Sequence, residues 1–212
     1  MNEQELLNAW KAEERAAHIH GWDFSHIAGR YTEETDLPWD YRQIILDRLT
    51  PEMKLLDVDT GGGEFLLSLR HPYQNTSAAE AYPPNAELCE ETLRPLGIDF
   101  RAGDGKDALP FDDAVFDFLI NRHGDFNVPD IRRMLKNGGV FITEQVGAEN
   151  DRELVELLLG ETPLPFPEQY LDTVSRKFCD AGFEILDAAM DLHAGQLVDR
   201  VGVALGLPFP CG

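Results

Sequence analysis

An apolar strand that runs into a glycine cluster occupies residues 55–65, with the sequence LLDVDTGGGEF. Glycines in such a turn carry no Cβ, so backbone N–H groups there can approach a bound ligand closely.

From residue 54 onward, strand-like and helix-like stretches alternate. Predicted strands cover 54–59, 77–81, 98–102, 115–121, 140–146 and 183–190, and predicted helices cover 62–70, 84–95, 128–135, 151–159 and 168–181. This order predicts an α/β fold with a doubly wound, mostly parallel sheet.

The charge balance argues against two classes of partner. The sequence holds 18 Lys and Arg against 39 Asp and Glu, a net charge of −21. Because it offers no basic stripe, we expect neither nucleic acid nor an anionic membrane as a partner. No apolar run reaches the roughly 20 residues that span a bilayer, and the charged N-terminus is unlike a signal peptide. We therefore expect a soluble, cytoplasmic, acidic protein.

Cysteine and histidine spacing indicates neither a disulfide nor a metal. The three cysteines lie far apart and form no Cys-x-x-Cys pair. His18, His20 and His26 are close in sequence, but their spacing matches no standard zinc pattern. We therefore predict no metal site.

Polar residues stand at the ends of the predicted strands. These are Asp57 in the first strand, Glu80 at the end of the second, Asp104 after the third and Asn121 at the end of the fourth. In a doubly wound sheet, such ends converge on one ligand-binding crevice. Glu80 lies 23 residues after Asp57, where a carboxylate can accept both ribose hydroxyls. The pattern fits NAD and S-adenosylmethionine alike, but Leu66 replaces the third glycine of a dinucleotide turn, which weakens the NAD interpretation.

The separated motifs together resemble the class I S-adenosylmethionine-dependent methyltransferases over roughly residues 50–190. The resemblance implies a Rossmann-like methyltransferase fold and S-adenosylmethionine as the cofactor. Further details, DLPWDY among them, are similar to a bacterial branch of the family for which the resemblance supplies no substrate. The motifs are LLDVDTGGGEF, SAAEAYPPN, Gly103-Asp104-Gly105, LPFDDAVFDFLINRH, RMLKNGGVFITEQV and CDAGFEIL.

We expect one domain over residues 1–212. Its regions are residues 1–50 as an N-terminal helix and lid, 51–146 as the cofactor-binding half and 147–212 as the C-terminal half. An amphipathic helix is predicted over 3–18, and the aromatic connector from His20 to Tyr41 either closes over a pocket as a lid or packs on the core. The last residues, 196–212, form either a strand or a short helix, so whether they complete the sheet stays open.

The resemblance implies roles for residues of the glycine turn and the second strand. Asp57, Gly61 and Gly63 would hold the methionine part of the cofactor, and Glu80 the ribose hydroxyls. The competing interpretation makes Asp57 a cap of the strand–helix turn and Glu80 an exposed charge.

Three further residues complete the cofactor site that the resemblance implies. Tyr82 would lie against the adenine, Asp104 would accept from its exocyclic amine, and Asn121 would contact the cofactor at the end of the fourth strand. For Asp104, a plain Asx turn is the alternative.

Asp59 departs from the family pattern Asp-x-Gly-x-Gly-x-Gly, because it stands where the family has its first glycine. A Cβ restricts positive φ, although aspartate tolerates it better than most residues, and the carboxylate would lie near that of the cofactor. We include Asp59 among the cofactor-contacting residues and expect weaker binding, unless its side chain turns toward the cofactor's ammonium or to water.

The predicted reaction is in-line methyl transfer to a small molecule, which needs alignment and, for a protonated acceptor, a base. His123 at the end of the fourth strand is the candidate base; alternatively, it only holds a loop. A second interpretation is an S-adenosylmethionine-binding sensor or interaction protein without catalysis, and a third, disfavoured by Leu66, is an NAD-dependent oxidoreductase. The sequence names neither the acceptor nor the oligomeric state.

Overall fold

The computed structural model describes residues 2–16, 28–30, 37–192 and 199–206, with the backbone alone for residue 192 and for 199–206. Most of the aromatic connector lies outside these residues, as do His18, His20 and His26, so the predicted lid and the histidine group stay predictions. Within the described part of the chain, no helix is long and apolar enough to cross a membrane.

In the residues that the structure describes, seven strands form one sheet in the order β3-β2-β1-β4-β5-β7-β6. Strands β1 to β5 are parallel, whereas β7 runs antiparallel between β5 and β6. This arrangement confirms the predicted α/β, doubly wound and mostly parallel sheet. The strands are β1 (Leu55–Val58), β2 (Thr76–Glu80), β3 (Asp99–Ala102), β4 (Phe116–Arg122), β5 (Leu135–Val146), β6 (Glu184–Leu192) and β7 (Asp199–Gly206). The C-terminal stretch thus contributes a strand to the sheet.

The helices follow the predicted order, but several are shorter. They are α1 (Glu3–Ala16), α2 (Tyr41–Leu46), α3 (Glu64–Ser68), α4 (Pro83–Thr92), α5 (Val128–Met134), α6 (Arg152–Leu159) and α7 (Leu171–Asp180), with 3₁₀ turns at Tyr73–Asn75 and Arg94–Leu96. The helix predicted from residue 62 begins only after Gly63, whose φ of 84° is incompatible with a right-handed helix.

Strand β5 begins earlier than predicted. Leu135 pairs with Phe116, and the register then shifts so that Val140 pairs with Phe118. The intervening residues, which include Gly138 at φ 77°, bulge from the strand instead of preceding it as a separate turn. The prediction of a strand start at residue 140 is therefore wrong.

Both faces of the sheet are covered by apolar side chains. On one face, Leu56 and Phe141 pack with Phe178 of α7, and on the other Leu55 packs with Ile45 of α2. Successive side chains of a strand point to opposite faces, so β1 supplies both cores at once. This burial holds β1 in the middle of the sheet and leaves the carboxyl ends of the parallel strands along one edge.

Candidate functional site

The turn after β1 is shaped by three residues with positive φ, Asp59 at 61°, Gly61 at 65° and Gly63 at 84°. A Cβ on Gly63 would lie 2.8 Å from a methyl carbon of Leu93, just after α4. Glycine is therefore required at Gly63 for packing as well as for backbone conformation. The Thr60 N–H donates to the Ala79 carbonyl at 3.0 Å, which attaches the turn to β2.

Asp57 is buried beneath this turn, with 4% of its surface exposed. The Thr60 hydroxyl donates to Asp57 Oδ2 at 2.6 Å. Burial raises the pKa of Asp57 from 3.8 to about 7, the Thr60 hydrogen bond opposes this rise, and the charges of Asp59 and Glu80 add to it. Asp57 thus holds a carboxyl group with a pKa near neutrality at the base of the crevice.

Glu80 at the end of β2 is also buried, so it is not an exposed charge. Its Oε2 accepts from the Gly61 N–H at 2.7 Å, and its Oε1 accepts from the N–H groups of Ala81 and Tyr82 at 2.9 and 2.8 Å. These bonds join the glycine turn to the start of α4. Glu80 also forms a hydrogen bond with the Asp59 carboxyl group.

The Asp59 side chain extends toward the loop between β4 and α5. A Cβ added to Gly124 in that loop would lie 2.2 Å from Asp59 Oδ2. Burial raises the pKa of Asp59 to about 6, and the charge of Glu80 and a hydrogen bond with it add to the rise, whereas a hydrogen bond from the Asp125 backbone N–H opposes it. The chain therefore accommodates an aspartate at the family's glycine position through contact with a glycine elsewhere.

The carboxylate cluster of Asp57, Asp59 and Glu80 has no basic side chain as an ion-pair partner within the described residues. The nearby Lys106 Nζ pairs instead with Asp125 Oδ2 at 2.8 Å. Buried carboxylates that repel one another are stabilised by a bound cation. The cluster is thus suited to a positively charged ligand.

Asn121 connects three strands at their carboxyl ends. Its Nδ2 donates to the Val58 carbonyl at 2.8 Å, and its Oδ1 accepts from the Thr143 hydroxyl at 3.2 Å and from the Gln145 amide. The Asn121 side chain is fully buried. Both ends of its amide therefore form bonds within the sheet and hold β1, β4 and β5 in register.

His123 lies just beyond β4, beside the buried Glu144 of β5. Its Nε2 is 3.5 Å from Glu144 Oε1, and its backbone N–H donates to the Glu144 carbonyl at 2.8 Å. Arg122 Nε donates to Glu144 Oε1 at 3.0 Å, and Trp39 Nε1 donates to Glu144 Oε2 at 2.8 Å. Glu144 therefore orients an imidazole, a guanidinium and an indole at one strand end.

Tyr82 and Asp104 lie further along the strand ends. Tyr82 precedes α4 with 56% of its surface exposed and contacts Glu80 through its N–H. Asp104 Oδ1 accepts from the Lys106 N–H at 2.9 Å, which is an Asx turn after β3. The structure thus brings Asp57, Asp59, Gly61, Glu80 and Tyr82 together around the glycine turn. It places Asp104 at the next strand end, and Asn121 and His123 at the end of β4.

Two contributors to the site are not evident from the sequence. The sequence indicates Trp39 only as part of the aromatic connector and gives no signal for Gly124. Asp40 caps α2 by accepting from the Gln43 N–H at 3.0 Å, and this cap starts the helix between Trp39 and Tyr41. The DLPWDY segment was a signal for this arrangement, since a capping aspartate between two aromatic residues orients both.

A model of the methyltransferase domain matches residues 56–143 of this chain. The curated phthiotriol/phenolphthiotriol dimycocerosates methyltransferase of Mycobacterium tuberculosis is 32% identical over 111 residues, which are 49% of this chain and 40% of that protein. A probable second such enzyme of Mycobacterium ulcerans is 31% identical over 88 residues, 38% of this chain and 33% of that protein. The chain therefore spans about 40% or less of the length of these relatives.

Solved structures share the fold at low sequence identity. A methyltransferase from Aquifex aeolicus that depends on S-adenosylmethionine has a TM-score of 0.58 and 17% identity, covering 80% of this chain and 90% of that one. The [4+2]-cyclase SpnF has a TM-score of 0.61 and 15% identity, covering 91% of this chain and 88% of that one. At these identities the likeness concerns the fold alone. Together with the domain match over residues 56–143, it supports a class I S-adenosylmethionine-dependent methyltransferase family for this chain.

Proposed function

We propose that the protein transfers a methyl group from S-adenosylmethionine, the cofactor of its family, to a small-molecule acceptor. The observation that carries this proposal is the buried carboxylate cluster of Asp57, Asp59 and Glu80 around the glycine turn. The mycobacterial relatives are named as methyltransferases of phthiotriol and phenolphthiotriol dimycocerosates, which supports methyl transfer to a non-protein acceptor.

The cluster fits the charge of S-adenosylmethionine, which carries a sulfonium and an ammonium group. Asp57 and Asp59 would bind the cationic methionine part beside the backbone of Gly61 and Gly63. Glu80 would accept a ribose hydroxyl through its carboxylate, while its bonds to the backbone N–H groups of Gly61, Ala81 and Tyr82 keep the turn closed. Binding of a cation would lower the pKa values that burial raises in the cluster.

The adenine end of the cofactor would lie toward the start of α4 and the end of β3. The exposed ring of Tyr82 offers a stacking surface there. Asp104 keeps a second carboxylate oxygen beside its Asx turn for the exocyclic amine. We assign Asn121 an indirect part: its fully buried amide holds the strand ends in position.

The cofactor supplies a methyl group on a good leaving group, so the chain has to align the acceptor and remove its proton. His123 would take that proton on its imidazole. The carboxylate of Glu144, 3.5 Å from Nε2, would stabilise the resulting imidazolium. Glu144 is itself held by Trp39 and Arg122, so it would orient His123 without contacting the acceptor.

Calorimetric titration with S-adenosylmethionine, S-adenosylhomocysteine and NADH tests the cofactor assignment. We expect binding of both adenosyl ligands, and at least tenfold weaker binding of S-adenosylmethionine by Asp57→Asn. Asp112→Asn, which changes an exposed carboxylate outside the cluster, is the matched control and should bind as the wild type does. Absence of heat with both adenosyl ligands refutes the proposal, and heat with NADH alone supports an oxidoreductase.

Turnover separates an enzyme from a sensor. We expect radiolabel from [methyl-³H]S-adenosylmethionine to enter an acceptor from a panel of neutral small molecules. His123→Ala should lower kcat by about 10²-fold or more while leaving cofactor affinity unchanged. Tight cofactor binding with no transfer across the panel would support the sensor interpretation, in which Asp59 serves binding alone.

A further inference from the structure

A cavity of about 310 Å³ opens between the β4–α5 loop, the proline-rich segment before α7, and α7 itself. The proline-rich segment, residues 163–169, carries Phe166 at the mouth of the cavity, with 52% of its surface exposed. Its backbone is anchored near the end of β5, because the Ala148 N–H donates to the Gln169 carbonyl at 3.1 Å. The cavity therefore has a defined wall on the side of the sheet's carboxyl edge.

One residue belongs both to this cavity and to the surroundings of the glycine turn. Gly124 lines the cavity, and a Cβ on it would lie 2.2 Å from Asp59 Oδ2. Its carbonyl also accepts from the Gln145 amide at 3.2 Å, beside the buried network at the end of β5. At Gly124 the cavity therefore adjoins the loop that contacts Asp59 and directly follows the candidate base His123.

The floor and the rim of the cavity differ in chemistry. The floor is formed by Phe126, Val174 and Phe178, and the rings of Phe126 and Phe178 are 5.7 Å apart between centroids. The charged groups at the rim are already paired, Lys177 with Glu168 and Asp125 with Lys106 outside the cavity. The floor of the cavity therefore offers apolar and aromatic contacts to a ligand. The charged side chains at the rim are paired with other side chains, so the rim favours a neutral ligand over an ionic one.

We propose that this cavity binds the methyl acceptor, and that the acceptor is a neutral molecule with an aromatic or branched hydrocarbon body of about ten carbons and a hydroxyl or similar polar group. An engineered apolar cavity of about 150 Å³ binds benzene, and this one is about twice as large. The apolar floor takes the hydrocarbon body, and the rim beside Gly124 takes the polar group. The inference rests on the proposed methyl transfer.

Titration with 1-naphthol, a neutral ten-carbon probe, tests the cavity. Protein with saturating S-adenosylhomocysteine is followed by two-dimensional NMR, and signal changes are expected at Gly124, Val174 and Phe178. Phe166→Ala, at the exposed mouth, should weaken binding about tenfold. Leu158→Ala is the matched control, because it truncates a leucine of α6 that is 69% exposed and outside the cavity lining, and it should bind like the wild type.

The outcomes distinguish this inference from the cofactor assignment. S-Adenosylmethionine binding without naphthol binding overturns the cavity proposal and leaves the proposed function standing. Equal or tighter binding of naphthalene-1-sulfonate overturns the neutral class of ligand. Signal changes away from the three cavity residues overturn the location. Naphthol binding in the cavity of a protein that fails to bind S-adenosylmethionine overturns the assignment as an acceptor site.

Discussion

Replacing Asp57 by asparagine should change how the stability of the ligand-free protein depends on pH. Asp57 is buried, and burial raises its pKa from 3.8 to about 7. In the unfolded chain the same carboxyl group ionises near its ordinary pKa. Between these two pKa values the unfolded state loses its proton and the folded state keeps it, so stability falls as pH rises through this window.

The magnitude follows from the difference between the two pKa values. One pKa unit corresponds to about 1.36 kcal/mol. A rise from 3.8 to about 7 therefore removes about 4 kcal/mol from the free energy of unfolding between about pH 4 and pH 8. Asparagine does not titrate, so Asp57→Asn should gain about this amount relative to the wild type over the same range, although it loses affinity for the cofactor.

Urea denaturation of the two proteins at 25 °C, repeated across this pH range without ligand, measures the effect. The quantity compared is the difference in free energy of unfolding between variant and wild type at each pH. Asp112→Asn, at an exposed position, should leave the wild-type pH dependence unchanged. A difference that stays flat from pH 4 to pH 8, or that moves against Asp57→Asn as pH rises, would refute the reasoning.

Three further outcomes are expected from the packing. Gly124→Ala places a methyl group 2.2 Å from Asp59 Oδ2 and should lower the free energy of unfolding, measured by urea denaturation, by about 2 kcal/mol. The double variant Gly124→Ala/Asp59→Gly should recover most of this loss, and additive losses of the two single variants contradict the expectation. Tyr41→Phe removes a buried donor to a β4 carbonyl and should lower the free energy of unfolding by about 1 kcal/mol, and an unchanged value contradicts it. Burial raises the pKa of the Cys89 thiol to about 12, so peptide mass spectrometry after iodoacetamide treatment at about pH 8 should find the exposed Cys179 alkylated and Cys89 intact.

Local sequence patterns were sufficient to predict the order of strands and helices from β1 to β6 and the position of the glycine turn. Alternating apolar residues report which stretches are buried, and glycine and proline report where they end. They did not predict that Leu135 joins β5 before the bulge, because that depends on its pairing with Phe116. Nor did they decide the conformation of the C-terminal stretch, whose strand β7 forms by pairing between β5 and β6.

The sequence by itself determined that Asp57, Glu80 and Asp104 stand at strand ends, because the parallel order brings those ends to one edge of the sheet. Only the tertiary structure decided what those groups do there. The Trp39 indole donates to the Glu144 carboxylate, which is 105 residues away in the chain, and the Asp59 side chain lies against Gly124 in the loop after β4. Protonation, side-chain direction and cavity shape depend on such distant neighbours, because burial and nearby charges act through space and leave no local pattern in the chain.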